Sequence, residues 1–115
     1  MVVDDDQQMG RLIRTLFELE GHQVVVTPSY PEILPALQQT QPDLLLMDVR
    51  IQQEETIPLI RQIRAHESLA DTPVVMTSGL DCGKECMAAG ADLFILKPFL
   101  PDELVQIVND LLGKD

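Results

Sequence analysis

The sequence predicts an α/β fold, a parallel sheet covered by helices on both faces. Two observations carry that expectation. Short apolar runs alternate five times with segments whose apolar residues recur at helical spacing. Four of those runs also end on polar or charged residues. Met1-Val2-Val3 meets Asp4-Asp5-Asp6, Leu44-Leu45-Leu46-Met47 meets Asp48, Val74-Val75-Met76 meets Thr77-Ser78-Gly79, and Leu93-Phe94-Ile95-Leu96 meets Lys97-Pro98. A short continuous apolar run reads as a strand buried on both faces. Ligands of open α/β sheets sit just beyond the carboxyl ends of such strands. If these strands are parallel neighbours, carboxylates, a hydroxyl and an ammonium meet at one edge.

Each element has a local reason. Asp6 is placed to cap a first helix from about Gln7 to Glu20, with Met9, Leu12, Ile13, Leu16 and Phe17 as its apolar stripe and Gly21 as a left-handed cap. Residues 23–27 form a β-branched strand. Ser29-Tyr30-Pro31-Glu32 reads as a capping box opening a second helix. Pro35 follows, and an interior proline costs ~3 kcal/mol, so this helix is expected to be short, kinked or late. Gln41-Pro42-Asp43 is a turn, and a loop from Val49 to Glu55 follows Asp48. Ile57, Ile60 and Ile63 mark a third helix with Pro58 in its first turn, where a missing N–H costs little. Cys82 to Ala89 is a short helix closed by Gly90. Pro101-Asp102-Glu103 starts the last helix, whose stripe is Leu104, Ile107, Val108, Leu111 and Leu112.

Length and charge narrow the function. The 115 residues suit one domain, 1–115, with no repeat or linker. Nineteen acidic residues against eight basic ones leave a net charge of −11. That argues against direct nucleic-acid binding, which needs a basic face, and suits a divalent cation or a basic partner surface. No apolar run approaches the ~20 residues of a membrane span, and the acidic start carries no basic signal region. Cys82 and Cys86 read as reduced structural thiols of a cytoplasmic protein. His22 and His66 read as isolated surface positions.

The acidic pair Asp4-Asp5, then Asp48, Thr77, Phe94 and Lys97-Pro98-Phe99, in this order and spacing, resemble the receiver domains of two-component response regulators across nearly the whole chain. The resemblance implies a flavodoxin-like, doubly wound, five-stranded parallel sheet of order 2-1-3-4-5 with five helices. It implies Asp48 as phosphoacceptor, assisted by Thr77 and Lys97, and Mg²⁺ as cofactor. Asp5, Asp48 and the backbone carbonyl of Arg50 would ligate the ion, with Asp4 acting through water. Thr77 and Phe94 would be switch residues, and the Lys97–Pro98 bond would be cis. A histidine kinase or phosphotransfer protein would be the donor. A downstream effector domain or protein would read the result on the face of the fourth helix, fifth strand and fifth helix. The chemistry agrees, because phosphoryl transfer needs an in-line nucleophile and neutralised equatorial oxygens. Mg²⁺ accepts one or two carboxylates and keeps several waters.

The sequence departs from the family in three places. Met1 stands almost at the acidic stretch, so the opening strand is expected to be short. The loop after Asp48 has Gln52 where the family commonly has proline and Glu55-Thr56 in place of an Asp-Gly-like turn, so a different and more mobile path is expected. The last helix has Lys114 as its only cation, which does not support a dimer through the fourth and fifth helices. Arg50, two residues past Asp48, is expected to lie across the phosphoryl oxygens and prolong the phosphorylated state. Two rivals are weighed: a pseudo-receiver acting only as an interaction module, and an enzyme with an aspartate nucleophile. Against the second stands the expectation that so short a chain lacks a substrate pocket of the usual ~300–1,000 Å³.

Overall fold

The computed structural model describes residues 1–27 and 29–113. In chain order the elements are β1 (Val2–Val3), α1 (Gln7–Leu19), a 3₁₀ turn (Tyr30–Glu32), α2 (Ile33–Thr40), β2 (Leu45–Asp48), β3 (Arg50–Ile51) and β4 (Glu54–Glu55). Then come α3 (Ile57–Ala65), β5 (Val74–Ser78), α4 (Gly83–Ala89), β6 (Leu93–Leu96) and α5 (Pro101–Leu111). Strands β1, β2, β5 and β6 form one parallel sheet in that order.

Alternation along the strands divides the core between two faces. Val3, Leu45, Met47, Val74 and Met76 face α2, α3 and α4 through Ile33, Leu37, Ile60, Ile63 and Cys86. Val2, Leu44, Leu46 and Val75 face α1 and α5 through Ile13, Phe17, Leu104 and Val108. Side chains on a strand point alternately to opposite faces, so an unbroken apolar run supplies both layers at once.

The segment 23–27 keeps its expected place outside β1, but only as a single bridge, Val2 to Val26. Val2 N–H donates to Val25 O at 2.8 Å and Thr27 N–H donates to Val2 O at 2.9 Å. A two-residue β1 offers no longer ladder, so this edge strand of the doubly wound order is barely formed.

Helix ends follow local chemistry with some differences. Asp6 caps α1 by accepting from the N–H groups of Gln8 and Met9, and Gly21 adopts φ 91° beyond its end. Leu12 is nevertheless 47 % exposed, so the buried stripe of α1 is narrower than its apolar spacing suggested. The expected capping box at Ser29 does not form: Ser29 makes no side-chain cap bond, and residues 30–32 wind as a 3₁₀ turn instead. α2 therefore starts late, which brings Pro35 into its first turn, where no N–H is missed. α5 ends at Leu111, and Lys114 lies outside the described residues. His22 is half-buried, its ring edge-on to Phe17 at 5.7 Å and hydrogen-bonded to Asn109 at 3.2 Å, so it is not an isolated surface residue.

The loop after Asp48 folds into a hairpin. Arg50 pairs with Glu55 and Ile51 with Glu54. Gln52 and Gln53, at φ 52° and 68°, form the two-residue connection with both φ values positive, as a type I′ turn requires. Each non-glycine residue there costs roughly 1 kcal/mol or more. Ile51 is completely buried, and Thr56 closes the base through its N–H to Val49 O at 2.7 Å. The segment is thus anchored at both ends and folded as a hairpin.

Candidate functional site

Strand register builds the site. Val3 lies opposite Met47, which puts Asp4 beside Asp48 one residue on; Asp48 lies opposite Thr77. Lys97 N–H donates to Ser78 O at 2.8 Å just past β6. All four residues therefore stand at the carboxyl edge, at the point where the chain turns from one side of β1 to the other, as expected for a ligand site in an open α/β sheet.

Lys97 Nζ donates to Asp48 Oδ2 at 2.8 Å and to Asp4 Oδ2 at 3.1 Å. Asp4 is buried, and its Oδ1 accepts from the Asp6 N–H at 2.9 Å. Burial raises the Asp4 pKa above the usual carboxylate value; the Asp6 N–H and the Lys97 ammonium pull against that rise without cancelling it. For Lys97, burial pulls the pKa down, but the hydrogen bonds to Asp48 and Asp4 outweigh it and the net shift is upward. Lys97 therefore stays charged and has two carboxylates to move between. The Lys97–Pro98 bond is cis.

Asp5 projects into solvent, and its Oδ2 accepts from the Gln52 N–H at 2.9 Å. Asp48 Oδ1 accepts weakly from the Arg50 N–H at 3.3 Å. The Arg50 guanidinium does not lie over the site: it reaches across the hairpin to Glu55 at 3.4 Å, and both side chains are largely exposed. Thr77 is buried at the strand end. Phe94 is half-buried on the α4 side, close enough to Gly83 that a Cβ there would sit 3.2 Å from the ring.

Two groups at the site gave no signal in the sequence. Thr56 is completely buried, and its hydroxyl donates to Asp48 O at 2.8 Å and Val49 O at 3.1 Å, fixing the backbone that carries the carboxylate. The Gln52 amide is the second. A backbone donor has no sequence signature, and both contacts depend on the hairpin.

Among the described residues no three or more carboxylate, thiolate or imidazole side chains converge as a metal cluster. The donor chemistry at this edge is instead two carboxylates, Asp5 and Asp48, with the Arg50 backbone beside them. That set is too small for a protein cage but suits Mg²⁺, which binds through one or two carboxylates and retains water.

A cleft of about 910 Å³, of a size expected to be absent, lies at the opposite edge of the sheet, lined by Phe17, His22, Leu44 and Leu112 among others. Asp4, Asp5 and Asp48 do not line it; a smaller cleft of about 330 Å³ does reach Asp4, between Gln7, Arg11, Arg14 and Val26.

Burial makes ionised Asp4 a stability cost, to which the Asp48 carboxylate adds. Asp4→Asn is expected to raise the melting temperature of the chelator-treated chain at neutral pH. The sign follows from the raised folded pKa: the cost is complete above that value, shrinks as pH falls through it and vanishes below the unfolded value. Melting curves from pH 3 to 8 check this; an advantage of the variant that persists at the acid end would assign the gain to packing, not ionisation.

Fold and site together define an acidic site, with a lysine ammonium between two of its carboxylates, at the carboxyl edge of a doubly wound parallel sheet. The family model of the response regulator receiver domain matches residues 1–109. The chain is 33 % identical to the transcriptional regulatory protein GltR of Pseudomonas aeruginosa, over 99 % of this chain and 48 % of that protein. It is 30 % identical to the regulatory protein AtoC of Escherichia coli, over 97 % of this chain and 24 % of that one. It thus spans half or less of these relatives. Similar solved structures include a Francisella response regulator receiver domain, with TM-score 0.88, 30 % identity and coverage of 97 % and 93 %. Another is the BeF3-activated receiver domain of Klebsiella pneumoniae RstA, with TM-score 0.88, 26 % identity and coverage of 98 % and 97 %. The chain belongs to the response regulator receiver domain family of two-component systems, whose receiver domains are generally signalling modules.

Proposed function

We propose that residues 1–115 form one phosphoacceptor receiver domain in which Asp48 takes a phosphoryl group from a phosphohistidine of a histidine kinase or phosphotransfer protein. The observation that carries this reading is the convergence of Asp48, Lys97 and Thr77 at one strand edge, with Lys97 Nζ 2.8 Å from Asp48 Oδ2. An Asp48 oxygen would attack phosphorus as the phosphorus–nitrogen bond of the donor breaks, leaving the electron pair on the imidazole. Lys97 must release that oxygen first, and Asp4 gives the ammonium a second partner as it moves. Lys97 would then neutralise one phosphoryl oxygen and the Thr77 hydroxyl would donate to another.

Asp5, Asp48 and the Arg50 carbonyl would hold Mg²⁺, with Asp4 contributing through water. When bound, the ion offsets the charge gathered on carboxylate and phosphoryl oxygens. Thr77 and Phe94 would link the site to the surface made by α4, β6 and α5, where Leu80, Met87, Leu96 and Leu100 are exposed. A downstream effector domain or protein would read that surface. The relatives carry further sequence beyond the matched part, so the effector could be part of the same polypeptide. The net charge of −11 argues against nucleic acid as a direct ligand. Among the described residues no helix is long and apolar enough to cross a membrane. A cytoplasmic setting and the absence of a membrane partner follow the resemblance.

The test is intact-mass spectrometry after incubation with acetyl phosphate, with and without Mg²⁺. One phosphoryl group per chain, dependent on the ion, is expected. No modification in either condition would make the chain a pseudo-receiver. Sustained turnover of a separate phosphate ester would make it an enzyme. Either result overturns the reading.

A further inference from the structure

Gln52 connects parts of the chain distant in sequence. Its N–H donates to Asp5 Oδ2 at 2.9 Å, and its side-chain Oε1 accepts from the Tyr30 N–H at 3.2 Å. The amide is carried on a fixed support. The hairpin is pinned by the buried Ile51, by the Thr56 hydrogen bonds at its base and by the Arg50–Glu55 pairing. Its target is less constrained. Asp5 is exposed, and among the described residues its Oδ1 takes no hydrogen bond. Without the amide, this carboxylate is free to rotate.

We infer that the Gln52 backbone amide is a positioning group for Asp5: by engaging Oδ2 it fixes the rotation of the carboxylate and leaves Oδ1 for a divalent ion. The inference rests on the reading of Asp5 as a Mg²⁺ ligand. The physical reason is the strict octahedral demand of Mg²⁺, which rewards a ligand already oriented. Donors to the outer oxygen of a ligating carboxylate commonly set its orientation. Ordering the ligand before the ion arrives also removes an entropic cost of binding. The strained Gln52-Gln53 turn lies at this contact, with both of its residues at positive φ.

Turn variants of the full chain, titrated with MgCl₂ by calorimetry, test the inference. Gln52→Asn with Gln53→Gly introduces the pair preferred in type I′ turns and keeps the N–H. It is expected to tighten Mg²⁺ binding several-fold and to slow hydrogen exchange of the residue 52 amide. Gln52→Val with Gln53→Val puts β-branched side chains at positive φ and is expected to weaken Mg²⁺ binding about tenfold, the lower end for loss of an orienting partner. In an Asp5→Ala background both pairs are expected to leave the residual affinity unchanged, a result that general loosening of the fold would not produce. Unchanged affinity in the Asp5-containing chains would sink the inference. So would weaker binding by the Asn-Gly chain, which would show that the amide competes with the ion, or an effect that survives Asp5→Ala. If the Val pair does not fold, the Asn-Gly pair with and without Asp5 still decides. If the unaltered chain binds no Mg²⁺, the reading of Asp5 as a ligand falls, and the inference falls with it.

Discussion

Asp48→Asn is expected to abolish phosphorylation by acetyl phosphate while leaving the chain folded. The amide nitrogen that replaces a carboxylate oxygen has no negative charge and no lone pair available for attack on phosphorus, so the loss should be complete. The fold should survive because the change is nearly isosteric at a strand end that keeps its backbone partners. Thr56 Oγ1 still donates to the carbonyl of residue 48, and Val49 N–H still donates to Thr77 O at 2.9 Å. Lys97 loses one of two carboxylate partners and keeps Asp4 at 3.1 Å. Intact mass, followed by peptide mapping of any modified fraction, gives the answer. A stoichiometric phosphoryl group on Asp4 or Asp5 in the variant would remove Asp48 from its proposed role.

The largest loss of stability outside the apolar core is expected at Arg64. From the last turn of α3 its Nε donates to Gly90 O at 2.9 Å, and its Nη1 donates to Ala70 O at 3.0 Å and Thr72 O at 2.6 Å. Its Nη2 donates to Asp92 Oδ2 at 2.8 Å, an oxygen that also accepts from the Val74 N–H at 2.7 Å. One guanidinium thus ties the end of α3 to the loop before β5, to the end of α4 and to the start of β6. The Asp92 pairing is partly exposed and contributes little by itself. The three carbonyls matter more, since removing a charged donor leaves partly buried acceptors without a partner. Arg64→Ala should therefore cost about 2–4 kcal/mol, a fall in melting temperature on the order of 10 °C for a domain of this size. Arg64→Lys should recover only part of that, because one ammonium cannot reproduce a planar fork with several donors. Denaturant unfolding of the three chains measures it. A loss below ~0.5 kcal/mol in the Ala variant would place Arg64 among ordinary surface positions.

The strands β2 and β5 and the amphipathic helices were legible in the sequence because burial on both faces and on one face leave different periodicities. The carboxyl-edge meeting of Asp4, Asp48, Thr77 and Lys97 was legible once the family resemblance implied the strand order, since parallel neighbours that end on polar residues present them at one edge. The sequence by itself therefore determined the four paired parallel strands, the two-layer core and which polar side chains end those strands. The tertiary structure alone decided which donors hold that site. At the site the Gln52 amide meets the Asp5 carboxylate and the Thr56 hydroxyl meets the Asp48 carbonyl, and elsewhere the Arg64 guanidinium gathers three loop carbonyls; each contact pairs a side chain with a backbone group. Every residue but proline carries the same backbone donor and acceptor, so residue type says nothing about which of them meet. The narrow stripe of α1, the single bridge at Val26 and the hairpin in place of a loop share that cause. Each depends on what lies opposite the segment in space, a neighbour that local spacing does not encode.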